Sequence, residues 1–147
     1  MAEFIHGNQS IHYELAGVRE FRLRTPVLLL HGNGEDMHIF DNMIAPLLGA
    51  KGFVLMDSRM QGESFSLDGG GEISYSAMAD DAAALMDELG INEYDIVGYS
   101  DGGIIALLMA MKSFKVRRFF TIGANTDPSG LTAKAVREIK TALRRAN

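Results

Sequence analysis

Apolar residues in this chain fall into short unbroken runs, separated by stretches where they recur every three or four positions. The runs PVLLL (26–30), GFVLM (52–56) and YDIVG (94–98) predict strands buried on both faces, and VRRFFTIG (116–123) gives another strand. Between them, 39–48 sets Phe40, Met43, Ile44, Leu47 and Leu48 on one helical face. A second helix is predicted over 76–89, with Met78, Ala82, Leu85 and Leu89 as its stripe. Ser76 is placed to cap it, Asp80 and Asp81 suit its first turns, and Gly90 ends it. The helix predicted over 102–111 is apolar around its whole circumference, as a central helix would be. Upstream, 4–6 and 10–15 read as a hairpin across Gly7-Asn8. Downstream, Val136, Ile139 and Leu143 predict a further helix from Leu131.

From Pro26 onward strands and helices therefore alternate, with polar, Gly-rich loops at 57–71 and 124–130. That order predicts an α/β fold with a mostly parallel sheet and helices on both faces. No repeat, low-complexity tract or linker divides it, so residues 1–147 read as one domain.

Composition narrows the class. Apolar residues at 47% and charged residues at 22% of 147 suit a soluble globular chain. A net charge of −5 offers no electrostatic footprint for nucleic acid. The absence of cysteine excludes disulfides, a thiolate nucleophile and a cysteine-built zinc site, and the four scattered histidines suggest no other metal centre. The opening MAEFIHGNQS is not a signal peptide, and the longest apolar run, 104–111, is too short for a membrane span. A cytoplasmic protein without membrane or nucleic-acid partners is expected. Residues 131–147 set Lys134, Arg137, Lys140, Arg144 and Arg145 against Glu138 alone, read here as a solvated helix face rather than a partner surface.

The chemistry concentrates at Gly98-Tyr99-Ser100-Asp101-Gly102-Gly103, where a buried strand runs straight into an apolar helix. A G-x-S-x-G sequence at such a junction is a nucleophile elbow, with glycines where the turn leaves no room for side chains. His31-Gly32-Asn33-Gly34 follows an earlier strand in the same manner. Acyl transfer needs N–H donors aimed at the developing oxyanion. The Asp101 and Asn33 amides are the candidates, and the glycines beside Asn33 leave the loop open to a substrate carbonyl. No complete dinucleotide or P-loop fingerprint is present, and no cofactor is expected.

The runs LLLHGNG, DSRMQGES (57–64) and GYSDGG, in this order, resemble the α/β-hydrolase superfamily. The stretch 98–125 is similar to its S-D-G-G branch, which includes valacyclovir hydrolase and biphenyl-hydrolase-like esterases. The resemblance implies Ser100 as nucleophile, Asn33 and Asp101 as oxyanion hole, and 57–64 as a structural loop. It implies a small-molecule ester or acyl substrate. It spans the whole chain but only the first six strands of the family's fold, so 1–147 reads as a single incomplete domain, with 131–147 starting the cap or a following helix. Met60 departs from the family's usual glycine in D-x-R-G-x-G.

In that fold the triad runs Ser, acid, His along the chain. Here His6, His12, His31 and His38 all precede Ser100. The expectation is a serine hydrolase of carboxylic esters lacking its own triad His. The alternatives are a non-catalytic remnant or interaction module, or half of a split enzyme completed by another chain. His31 stands near the site as either a base or a structural residue. Asp127 reads as the cap of a turn before Pro128 rather than the triad acid. Two readings of the Asp101 side chain stay open: recognition of a cationic substrate group, or a carboxylate favoured by the helix dipole. Phe119 and Phe120 on an uncovered last strand predict a homo-oligomer or a completing chain.

Overall fold

The computed structural model describes residues 2–125, 127–130, 132–134, 136–137 and 141. Its strands are β1 (Ala2–His6), β2 (Gln9–Ala16), β3 (Val27–Leu30), β4 (Phe53–Met56), β5 (Phe65–Ser66), β6 (Tyr94–Tyr99) and β7 (Val116–Ile122). The α-helices are α1 (Asp41–Ile44), α2 (Tyr75–Glu88) and α3 (Asp101–Lys112). One sheet runs in the order β1-β2-β4-β3-β6-β7, with β5 appended to β2. The hairpin β1–β2 and the pair β2–β4 are antiparallel, whereas β4, β3, β6 and β7 are mutually parallel. This is the mostly parallel α/β sheet with helices on both faces that the alternation predicts.

The period of two along each strand sorts its residues to the two faces. Leu28, Leu30, Val54, Met56 and Ile96 pack with Met78, Ala82, Leu85 and Met86 of α2 and Ile105, Ala106 and Met109 of α3. Val27, Leu29, Phe53 and Leu55 face the other way, onto Met37, Phe40 and Ile44. A fully buried side chain of this size contributes about 1.5–3 kcal/mol, so the two layers account for why β3 and β4 read as unbroken apolar runs.

Four sequence expectations need correction. The helix over 39–48 is three short pieces: a 3-10 turn at Met37–Phe40, α1, and a second 3-10 turn at Ala45–Leu47. Pro46 has no N–H to give, so the helix cannot run on through it. Phe40 and Ile44 reach the core, but Met43, Leu47 and Leu48 are exposed. α2 is capped by Ser74, whose Oγ accepts the Ala77 N–H at 3.2 Å, rather than by Ser76. Asp81, expected only as a carboxylate favoured by the dipole in the first turns, lies in line with Met78 and Leu85 and is completely buried. α3 is apolar between Asp101 and Lys112, yet it lies against one sheet face only, and Met111 is 83% exposed. Beyond these, β5 adds a two-residue strand inside the stretch read as loop.

Gly90 ends α2 as expected, at φ 68° with its N–H on the Asp87 carbonyl. In the helix anticipated from Leu131, the Val136 N–H donates to Thr132 O and the Thr141 hydroxyl to Arg137 O. Much of it, including Ile139 and Leu143, lies outside the described residues. On β7, Phe119 and Phe120 point to opposite faces and are 46% and 63% exposed. Tyr99 and Ile122, paired across β6 and β7, are exposed as well, so this side of the sheet carries an open apolar surface.

Candidate active site

Ser100 follows β6 with φ 51° and ψ −115°, a conformation that L-residues avoid. Such a residue costs about 1–3 kcal/mol and persists only where its surroundings impose it. Here they do. Its N–H donates to the Ile122 carbonyl at 2.8 Å, and its carbonyl accepts the Gly103 N–H at 2.9 Å. The glycines around it have no room for a side chain. A Cβ at Gly98 would lie 2.6 Å from the Gly103 nitrogen, one at Gly102 2.7 Å from the His31 carbonyl oxygen, and one at Gly103 2.7 Å from the Ala124 Cβ. The sharp bend that the G-x-S-x-G pattern implies is present, and Ser100 is half-buried at its tip. α3 starts at Asp101, so the Asp101 N–H belongs to the first turn, whose amides have no acceptor within the helix.

Parallel pairing of Leu30 with Gly98 brings the segment after β3 to the same end of the sheet. A Cβ on Gly32 would stand 3.1 Å from the Ser100 Cβ and 2.7 Å from the Glu35 carboxylate, so glycine lets the loop come this close to the elbow. Asn33, the next residue, is exposed. Of the expected trio, Ser100 and Asp101 are adjacent on the elbow, and Asn33 sits on the loop that abuts it.

His31 is not free to act as a base. Its Nε2 accepts the Ser58 N–H at 2.9 Å, which assigns the ring proton to Nδ1, and Nδ1–H donates to the Gly32 carbonyl at 2.7 Å. Both nitrogens are used and the ring is buried. His6 Nδ1 meets Asp81 at 2.7 Å, His38 Nδ1 meets Asp41 at 3.2 Å, and His12 lies 3.8 Å from Glu63. Among the described residues, none of these rings is hydrogen-bonded to Ser100. Asp127 accepts the Ser129 N–H at 2.8 Å and the Ser129 hydroxyl, which lowers its pKa, in keeping with a turn cap.

The segment 57–64 braces the site. Asp57 Oδ1 accepts the Met37 N–H and Oδ2 the Glu63 N–H, each at 2.8 Å. A Cβ at Gly62 would press on that carboxylate at 2.7 Å. Arg59 grips Asp81 through Nε (2.7 Å) and Nη2 (2.8 Å), and donates through Nη1 to the Glu72 carbonyl at 2.8 Å. The hydrogen bond to Asp81 raises the Arg59 pKa further above its ordinary value. Met60 stands at φ 61°. The position where the resembling family has glycine is thus a left-handed one, occupied here by a side chain at a cost of about 1 kcal/mol. Met60→Gly is expected to raise stability by about 0.5–1 kcal/mol, read as a higher urea midpoint at unchanged slope. A lowered midpoint would mean that Met60 contributes packing that outweighs its backbone strain.

Three participants escaped the sequence reading. Glu35 accepts the Gly32 N–H at 3.0 Å, and Gln61 accepts the Gly34 N–H at 2.7 Å. Tyr75, at the start of α2, feels the Asp101 carboxylate; burial first, and that carboxylate second, raise the phenol's pKa. No local pattern announces Gln61 or Tyr75, whose partners come from other elements, whereas Glu35 lies three residues from Gly32 in the same loop.

Residues 25–144 match the family described as alpha/beta hydrolase fold, and the chain belongs to that family. It is similar to Est816, described as an N-acyl homoserine lactone degrading enzyme, at 22% identity and TM-score 0.77 over 95% of this chain and 52% of that one. It is also similar to a thermophilic esterase from Thermogutta terrifontis, at 25% identity and TM-score 0.72 over 93% of this chain and 48% of that one. A hydrolase from Pseudomonas aeruginosa PA01 matches at 21% identity and TM-score 0.78, over 97% and 51% of the two chains. The chain spans about half the length of these relatives. Among the described residues, no helix is long and apolar enough to cross a membrane.

Proposed function

We propose that this chain is the nucleophile-bearing part of a serine hydrolase acting on carboxylic esters or related acyl compounds. The observation that carries the reading is Ser100 at φ 51°, bent out between Gly98 and Gly102 where β6 meets α3. Its Oγ attacks the substrate carbonyl carbon, and the carbonyl oxygen becomes an oxyanion facing the Asn33 and Asp101 amides. Collapse of that intermediate expels the alcohol, which takes up a proton, and leaves an acyl-serine that water hydrolyses. The run GYSDGG supports a place near the valacyclovir hydrolase and biphenyl-hydrolase-like esterases.

The base that takes the Ser100 proton is, in this reading, a histidine outside these 147 residues, borne by the part of the fold that the relatives have and this chain does not match. Two observations support it: the four histidines are engaged away from Ser100, and β7 presents an uncovered apolar edge. That edge takes up either the completing polypeptide or a second copy. A non-catalytic interaction module is the second reading, favoured by the same committed histidines.

Fluorophosphonate labelling of size-resolved fractions tests this. Ser100 is expected to take the label, and Ser100→Ala to lose it by at least about a hundredfold. Label appearing only in assembled fractions, or only after adding a polypeptide with the relatives' second half, identifies a base supplied in trans. No label under any of these conditions leaves the interaction module.

A further inference from the structure

The geometry points to Gln61 as a positioning residue that sets the direction of the Asn33 amide, which deepens the oxyanion-hole reading above and rests on it. The amides on either side of Asn33 are both taken: Gly32 N–H donates to Glu35 Oε2 at 3.0 Å, and Gly34 N–H to Gln61 Oε1 at 2.7 Å. Among the described residues the Asn33 N–H has no acceptor. The Gly32 carbonyl accepts the His31 Nδ1–H at 2.7 Å and the Glu35 N–H at 3.3 Å. A trans peptide holds its C=O and N–H on opposite sides. Tying the Gly32 oxygen down on one side therefore turns the Asn33 N–H, in the same peptide unit, to the other. Gln61 fixes the next unit by its N–H, so one unengaged donor is pinned from both ends.

Gln61 is itself rigidly placed. Its N–H donates to the Ser58 carbonyl at 3.0 Å, and its carbonyl accepts the Ser64 N–H at 2.9 Å. It follows the left-handed Met60 and precedes Gly62, which is also at positive φ. Because the partner is an N–H, the amide oxygen of Gln61 must face it. Gly34 sits at φ 75°, and a Cβ added there would meet nothing within 4 Å. Oxyanion donors act only when they are held in place before charge develops. Losing the Gln61 bond leaves the unit after Asn33 free to rotate.

The test uses the full chain, a fluorophosphonate probe and amide NMR. Gln61→Ala is expected to slow the first-order labelling step of Ser100 about tenfold at unchanged half-saturating probe, and to shift and broaden the Asn33 amide resonance. Gln61→Glu retains an acceptor and is expected to stay within about twofold, with that resonance in place. A urea midpoint shared by all three proteins separates the effect from unfolding. Equal labelling in all three, or equal slowing in both variants, overturns the proposal. If the parent chain takes no label, the nucleophile reading fails by itself, and the Asn33 resonance decides the clamp. Unmoved in Gln61→Ala, it refutes the clamp; moved there and kept in Gln61→Glu, it upholds it.

Discussion

Gly102→Ala is expected to destabilise the chain by about 3 kcal/mol or more and to remove Ser100 labelling in whatever fraction still folds. The added methyl would fall inside van der Waals contact of the Leu30 carbonyl and 2.7 Å from the His31 carbonyl oxygen. Both are backbone atoms of a buried strand and its exit, so no side chain can swing aside. Either β3 parts from α3, or the elbow opens and Ser100 leaves its strained conformation. The informative control is Gly90→Ala. Gly90 sits at φ 68° with nothing within 4 Å of a Cβ, so its substitution carries only the left-handed backbone penalty, about 1 kcal/mol. Urea titrations of the two variants compare steric closure with backbone strain. Equal midpoints would mean that the approach of α3 to β3 is looser than these distances state.

Asp81→Asn is expected to cost about 3–5 kcal/mol, because it leaves Arg59 buried without its counter-charge. Asp81 is fully buried and accepts two bonds from Arg59 and one from His6. The pair joins residues 22 positions apart and fastens the 57–64 segment to α2. Total stability for a domain is about 5–15 kcal/mol, so the variant stands at the edge of folding at room temperature. The double variant Arg59→Met with Asp81→Leu removes both charges together and is expected to recover most of the loss. The urea midpoints of the single and double variants check this. A double variant no more stable than the single would mean that the bond from Arg59 to the Glu72 carbonyl, or the one from His6, matters more than the ion pair.

The elbow at Ser100 could be read from the sequence because every cause of it is local. A buried run, two glycines flanking a serine and an apolar helix lie within consecutive residues, and each constrains its neighbours directly. The same holds for β3, β4 and β6, whose apolar runs admit little but buried strand, and for the stop at Gly90. Met60 was marked as a departure by resemblance alone, and the structure supplies its physical content, a side chain in left-handed backbone.

Other features could not be read this way. Asp81 looked like a first-turn carboxylate because its sequence neighbours allow that; its burial depends on Arg59 arriving from the segment after β4. His31 could have been a base until Ser58 and Gly32 took both of its nitrogens. Gln61 and Gly34 are 27 positions apart, and nothing in either neighbourhood foretells their bond. The amino-acid order by itself determined the main strands, the parallel architecture and the bend at Ser100, since those follow from periodicity and from steric limits within a few residues. Only the folded chain decided which polar groups are engaged, because hydrogen-bond partners are chosen by the proximity that sheet order creates.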